Sequence, residues 1–387
     1  MSQNCIGILK TYPKLEKYCE IELERYCKNY KIEEIFDGCV VFSAQNFESF
    51  EKLAYFTQSS EHVSYLLAQK ENDRWQKIQF FLLDILKKTG KTKYWIEISH
   101  DPSIPINEET YKRKIQECTA LLDSDFILNP KDKDFTLTIF ITKTKELLGL
   151  NILQGDLSKR SYKIYLLPNS IKGTLGFLLS SMCGICHNKP NSINKVLYLF
   201  SGDGILPIEF SLWTKGLSVR YYDKRVLKKS FLNISNHTFE DFDKEIASFV
   251  KSLNQNFEIT SCDSELKHLT FAQRNAKLAG VEKDIIFRKI SLDLLDLKFE
   301  ENHFDAIVSF LLLFNNRTEE EKINKFYKYY FYQTEYILKK NKNTTILVRN
   351  AHLERIKEIA KEFNFSLERI EPIREDIAIL LLKNNKK

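Results

Sequence analysis

The chain has 387 residues, 43% of them hydrophobic and 13% aromatic, which is enough for two or three folded domains with separate cores. Its net charge of +6, from 58 basic and 52 acidic side chains, permits a polyanionic partner without demanding one. No apolar run approaches the roughly 20 residues of a membrane helix, and the opening Met1-Ser-Gln-Asn-Cys5 lacks a basic-then-apolar signal, so the expectation is a cytoplasmic globular protein that spans no membrane.

Residues 1–70 read as a small α+β unit. The pattern predicts a strand at 5–9, a helix over 15–26, a strand pair over 31–42 turning at Asp37-Gly38, and a helix from Phe47. The next unit predicts a helix over 75–88, a strand over 93–99, and a helix over 108–122 after Pro105. It closes on a half-buried strand, with Phe135, Leu137, Ile139 and Ile141 on one face and Thr136, Thr138 and Thr142 on the other.

Beyond Gly155 strands and helices alternate, the signature of a parallel sheet wrapped by helices. The predicted order is helix 171–182, strand 194–200, helix 205–213, strand 256–261, helix 265–279 and strand 284–288. It continues as strand 304–314, helix 318–338, strand 343–349, helix 352–362 and strand 376–382. Residues 214–255 interrupt the alternation, first basic and aromatic (Arg220-Tyr-Tyr-Asp-Lys-Arg225), then amphipathic, which predicts an inserted helical excursion.

The eight cysteines are scattered and predict reduced thiols rather than a disulfide framework. Cys183-Gly-Ile-Cys186-His187 has the spacing of a haem attachment or half a zinc site. Without an export signal or a second cysteine pair it reads as a helix end facing a core. The seven histidines show no metal-ligand spacing, so no metal site is expected.

The most informative stretch is Val196 to Glu209, an apolar strand, a Gly202-Asp203-Gly204 turn and a helix start. Such a turn lets backbone amides approach a cofactor at the carboxyl end of a parallel strand. Asp263 ends the following strand and can accept hydrogen bonds from ribose hydroxyls. It follows the glycines at far more than the roughly 20 residues of the dinucleotide fingerprint, and the insertion 214–255 accounts for the excess. The third glycine of that fingerprint is missing, which favours a nucleoside cofactor without phosphate.

With these features the chain resembles the class I S-adenosylmethionine-dependent methyltransferases, and specifically the guanine-N2 type RNA methyltransferases with an N-terminal ferredoxin-like segment and a THUMP domain. The resemblance is carried by Leu157-Ser-Lys159-Arg160-Ser-Tyr162-Lys163 and Lys172-Gly-Thr174-Leu175 in the linker. It extends to the opening segment, from Tyr12-Pro-Lys-Leu-Glu16 through Phe42 to Thr57-Gln58-Ser59 and Val63. It implies an α/β chain of three domains: ferredoxin-like over 1–70, THUMP-like and RNA-binding over 71–165, and Rossmann-like methyltransferase over 166–387. The implied cofactor is S-adenosylmethionine, with Gly202, Asp203 and Gly204 in the cofactor loop, Asp263 and the adjoining Ser264 at the ribose, and Ser291 beside the adenine. The implied partner is structured RNA, tRNA or rRNA, met by Lys131, Lys133, Lys143, Lys145, Lys159, Arg160 and Lys163. Asp132 and Asp134 alternate with Lys131 and Lys133, so Arg160 and Lys163, with Lys159 and Lys143, carry that expectation.

Two positions depart from the family pattern. Its loop begins with an Asp, where this chain has Tyr198, and its acceptor loop reads Asn or Asp, Pro, Pro, aromatic, where this chain has Phe310, Leu311, Leu312 and Leu313. Methylating an exocyclic amine requires acceptors that aim its lone pair and an aromatic that stacks on the flipped base. Leucines supply neither. Three readings follow: an RNA-binding protein of this kind with impaired or lost methyl transfer; an active RNA methyltransferase with an acceptor loop rebuilt from Asn315 and Asn316; or a non-catalytic subunit whose apolar 310–314 strand-end meets a protein partner.

Overall fold

The computed structural model describes residues 5–101, 103–188, 193–222, 237–314 and 318–386. The chain divides into two compact units, residues 1–158 with 223–242, and residues 159–222 with 243–387. Among the described residues the strands form one sheet of nine and one of seven. No helix among them is long and apolar enough to cross a membrane.

The first unit runs β1 (Cys5–Lys10), α1 (Glu20–Tyr26), β2 (Lys31–Phe36), β3 (Cys39–Ala44), α2 (Phe47–Phe56), β4 (His62–Glu71) and β5 (Arg74–Lys77). It continues with α3 (Phe81–Lys88), β6 (Lys93–His100), α4 (Glu108–Thr119), β7 (Ile127–Leu128), β8 (Phe135–Ile141) and β9 (Glu146–Asn151). Asn46 and Asn107 start α2 and α4 by accepting from the amides three residues on, at 3.1 and 2.8 Å. The sheet order β2-β3-β1-β4-β9-β8-β6-β7 is continuous, because β4 pairs with β1 on one side and β9 on the other. One sheet therefore passes through both segments expected as separate N-terminal domains.

Three local expectations change here. Residues 74–77 are a strand, not a helix start: Asn72 and Asp73 both take positive φ, 48° and 58°, and close a two-residue hairpin onto β4. The β4 strand carried no alternating signal because most of it is buried on both faces. For the same reason β8 is fully buried rather than half-buried, its outward Thr138 hydroxyl donating to the Asn151 side chain at 3.0 Å.

The second unit comprises α5 (Gly173–Met182), β10 (Lys195–Leu199), α6 (Ile205–Lys215), α7 (Phe239–Ser252, which begins in the first unit), β11 (Glu258–Asp263), α8 (Leu266–Ala279) and β12 (Ile285–Lys289). Then come α9 (Leu295–Lys298), β13 (Phe304–Phe310), α10 (Glu320–Ile337), β14 (Leu338–Arg349), α11 (Leu353–Glu362), β15 (Phe365–Arg374) and β16 (Ile377–Asn384). The order is β12-β11-β10-β13-β14-β16-β15, parallel except that β16 runs against both neighbours. This is a Rossmann-like, doubly wound sheet.

The alternation predicted beyond residue 170 is present, with β15 added. Its polar alternation and Pro372 suit the sheet edge it occupies and hide it from an apolar-run search. Gly176 lets α5 close onto α6, since a Cβ there would stand 2.7 Å from Ile205 Cγ2. Within the 214–255 excursion, residues 223–236, which include Asp223-Lys-Arg225 of its basic stretch, lie outside the described residues. The second part of the excursion is α7.

Candidate cofactor site

The chain leaves β10 toward β11 and β12 on one side of the sheet, then returns to β13 on the other side. The carboxyl ends of β10 and β13 thus flank a topological switch point, where open parallel sheets bind ligands. A cavity of about 360 Å³ lies there, within the roughly 300–1,000 Å³ range of small-molecule sites. Its walls come from segment 167–171, residues 200–203 with Ile205 and Leu206 but not Gly204, the end of β11 with the head of α8, and Phe310, Leu313 and Phe326.

The turn after β10 is built as its glycines require. Gly202 and Gly204 have φ of +55° and +84°, and a Cβ on Gly204 would stand 2.8 Å from Ala272 of α8. Phe200 also takes a left-handed φ of 54°, costly for an aromatic residue, and packs on Phe326 at 5.6 Å between ring centroids. Asn275 of α8 locks the loop from beneath: its Nδ2 donates to the carbonyls of Asp203 and Tyr165, each at 2.9 Å, while its Oδ1 accepts from the amides of Ile164 and Tyr165.

Two of the three acids of the site are nearly sealed, Asp203 and Asp263 being 4% exposed, while Glu265 is exposed. Burial raises the Asp203 carboxyl above its ordinary value, opposed by a hydrogen bond from Ser170 Oγ and by the charge of Lys163. Asp263 Oδ1 accepts from the Glu265 amide at 3.0 Å and meets His268 Nδ1 at 3.1 Å, and Oδ2 faces the Gly202 amide at 3.3 Å. An ionised carboxylate has about four lone-pair sites, so Asp263 keeps capacity for a ligand hydroxyl.

The structure brings Gly202, Asp203, Asp263 and Ser264 to the cavity wall. Ser291 is elsewhere: it follows β12, exposed, outside the cavity lining. Tyr198 lies inside β10 with no exposure, its hydroxyl 3.0 Å from Ser180 Oγ, and no carboxylate faces the loop from that position.

The acceptor side also differs from its sequence description. The strand β13 ends at Phe310, and the residues after it are not a free apolar strand-end. Leu311 and Leu312 are 0% and 5% exposed, Leu311 within the main core of the unit. The Leu311 amide donates to Leu347 O, the Leu312 carbonyl accepts from Asn169 Nδ2 at 3.1 Å, and the Phe314 carbonyl accepts from Arg349 Nε at 2.7 Å. Core packing thus takes Leu311 and Leu312 out of the surface proposed for a protein partner, leaving Phe310 and Phe314 partly exposed and Leu313 at 41% exposure. Asn315 and Asn316 lie outside the described residues.

Of the side chains expected to meet RNA, Arg160 is buried rather than at the surface. Its guanidinium is buried in an ion pair with Glu209, Nε to Oε1 at 2.7 Å and Nη2 to Oε2 at 3.1 Å, and Tyr162 donates to the same carboxylate. A basic residue between polar neighbours reads as a surface residue until its buried acid is known. Lys163 is half-buried, with its ammonium on the Ile171 carbonyl, and burial lowers its pKa. Lys145 is held by Glu34 and Glu71 at 2.5 and 2.9 Å. Lys143, Lys159 and Lys131 are exposed, and Lys133 is partly so.

Sequence reading missed Asn169, Ser170 and His268 as wall residues and Asn275 as the buried clamp. For His268 a signal existed: it stands five residues after Asp263, in the first turn of α8. All eight cysteines are free and buried, and the Cys183 thiol donates to the carbonyls of Ile307 and Asn343 at 3.7 and 3.5 Å.

No family model and no curated protein matches the chain. Solved structures do match. A possible methylase from Clostridium difficile 630 superposes with a TM-score of 0.68 at 16% identity, over 100% of this chain and 99% of the other. TrmN from Thermus thermophilus gives 0.63 at 14% identity over 98% and 99%. SMU.472, described as "a putative methyltransferase complexed with SAH", gives 0.67 at 12% identity over 100% of both chains. At such identities the likeness is one of fold, so the chain is an α/β protein whose second unit has the Rossmann-like fold seen in class I methyltransferases.

Proposed function

We propose that the chain binds structured RNA, holds an adenosine cofactor of the S-adenosylmethionine type, and does not methylate an exocyclic amine by the route of the THUMP methyltransferases it resembles. The observation that carries this reading is a contrast within the cavity lining. Gly202, Asp203, Asp263, Ser264, Glu265 and His268 make its polar wall. The second wall, on the acceptor side, is Phe310, Leu313 and Phe326, and Leu167, Pro168, Ile171, Phe200, Ile205 and Leu206 add further apolar surface.

The polar wall suits the proposed ligand. Its acids, Asp203, Asp263 and Glu265, disfavour phosphate and suit a ribose diol, an ammonium and a sulfonium. A fold neighbour described as complexed with SAH supports an adenosine ligand. When bound, S-adenosylmethionine supplies an electrophilic methyl group. The chain's own part is to hold the ribose at Asp263 and to seat the rest of the ligand against the loop that Asn275 fixes.

The second wall explains the missing transfer. Aligning an amine needs hydrogen-bond acceptors at the methyl, and an amine buried without them loses about 1–3 kcal/mol for each unpaired donor. Phe310 and Leu313 offer carbon there, and the hydrogen bonds at Leu311, Leu312 and Phe314 hold the segment in place. The RNA part of the proposal rests on the linker resemblance and on the exposed Lys131, Lys143 and Lys159.

Incubation with methyl-labelled cofactor and total tRNA or rRNA tests the proposal. The expected result is RNA retention on a filter at low salt without label in the RNA. Label incorporation that disappears with Asp263→Ala overturns the non-catalytic reading in favour of the rebuilt acceptor loop.

A further inference from the structure

The cavity wall carries three carboxylates, Asp203, Asp263 and Glu265, and no lysine or arginine among the described residues. Asp203 differs from the other two. Asp263 is already bonded by two amides and His268, and Glu265 is exposed to solvent, which screens its charge. Asp203 is buried between the two loop glycines, at the head of α6. Ser170 Oγ donates to it, and the backbone amides of Asp203 and Ile205 favour its charged form. Lys163, the cation that bears on it, has its ammonium on the Ile171 carbonyl and stands outside the cavity lining.

A Gly-rich turn leading into a helix ordinarily offers its amides and positive dipole end to an anionic group of the ligand. Here the chain's own carboxylate stands at that place, in a low-dielectric setting that magnifies its effect. A ligand anion meets repulsion there. A ligand cation meets attraction.

Resting on the adenosine-ligand reading above, we propose that Asp203 is a specificity-determining residue that makes the cavity select its adenosine ligand by positive charge. It favours the sulfonium S-adenosylmethionine over the neutral thioether S-adenosylhomocysteine. The two ligands share adenosine and the amino-acid end and differ by one methyl and one charge, so the change in their affinity ratio when the Asp203 carboxylate is removed isolates the charge effect.

Equilibrium dialysis of the full chain tests this with S-adenosylmethionine, S-adenosylhomocysteine and 5′-methylthioadenosine, the last being an uncharged thioether without the amino-acid end. In the wild type the sulfonium is expected to bind about tenfold or more tighter than the thioether homocysteine ligand at low salt. In Asp203→Asn and Asp203→Ser that ratio falls toward one, while 5′-methylthioadenosine binds within about twofold of its wild-type affinity. A wild-type protein that binds S-adenosylhomocysteine as tightly as S-adenosylmethionine, or variants that keep the ratio, overturns charge selection and leaves the adenosine reading standing. Failure of all three ligands to bind overturns the adenosine reading, and the inference with it. The wild-type ratio alone can refute the proposal, whatever the variants do to folding.

Discussion

Arg160 and Glu209 form a two-point ion pair in which neither side chain is exposed, under a glycine that leaves them no spare room. A Cβ on Gly173 would stand 2.4 Å from Arg160 Nε and 2.7 Å from Glu209 Oε1, so the first residue of α5 must be small for the pair to exist. The linker residue Arg160 is thereby fixed to α6, the helix that the cofactor turn begins. Breaking a buried pair by removing one partner leaves a charge in low dielectric, at a cost of about 3–5 kcal/mol. Arg160→Met and Glu209→Leu should each lower the denaturant midpoint strongly, and the double variant should recover part of the loss. Equal and additive losses would contradict a coupled pair.

Asn275 makes all four of its hydrogen bonds to backbone groups, tying Ile164 and Tyr165 of the linker to the Asp203 carbonyl of the cofactor turn. Asn275→Ala orphans these groups, each worth about 1–3 kcal/mol if it stays buried and unpaired. Asn275→Asp keeps the acceptor and loses the two donors, so it should fall between alanine and wild type in thermal midpoint. Adenosine-ligand affinity should drop in the same order, because the turn loses its brace. A variant that melts early yet binds normally would separate the brace from the site.

The parts of the molecule with a strong local period were legible in the sequence. The strand-turn-helix at β10 and α6, the helix α8 ending at Gly280, and the strand-helix alternation beyond residue 170 all follow from apolar spacing and glycine position. What stayed hidden was set by partners distant in sequence. Arg160 looks like a surface cation until Glu209, 49 residues on, is placed against it. The leucines at 311 and 312 look like a sticky strand-end until the core encloses them. Ser291 was placed by analogy with a family position, and in this chain it is exposed and does not line the cavity.

His352 gives the second unit a pH dependence of known sign. Burial, then the charges of Arg355 and Arg349, hold its imidazole below the ordinary value of 6.5, and the ring meets the Tyr327 hydroxyl at 3.0 Å. With the folded pKa depressed, the unfolded chain binds the proton more readily. The stability contributed by the neutral ring is therefore fully present above about pH 6.5 and is lost as pH falls through the folded value. The thermal midpoint should decline on acidification below about pH 6.5, and His352→Gln should decline less over the same window. Parallel pH profiles for the two proteins would assign the decline to another group.

RNA binding, if carried by exposed lysines, should be mostly electrostatic and should weaken steeply with salt. Lys159 and Lys143 are the tests, one in each unit. Lys143 lies 3.5 Å from Asp37 and 3.8 Å from Asp101, which already offset part of its charge, so Lys159→Ala should cost more affinity than Lys143→Ala. Each lysine that meets a phosphate contributes about one unit to the slope of log affinity against log salt. Filter binding of folded tRNA across a salt series should thus show a shallower slope for Lys159→Ala and little sequence dependence. The Arg160→Met protein, measured below its melting temperature, should keep the wild-type slope, because a guanidinium sealed against Glu209 has no phosphate to release counterions from. A slope that falls with Arg160→Met but not with Lys159→Ala would move the RNA surface away from the exposed lysines.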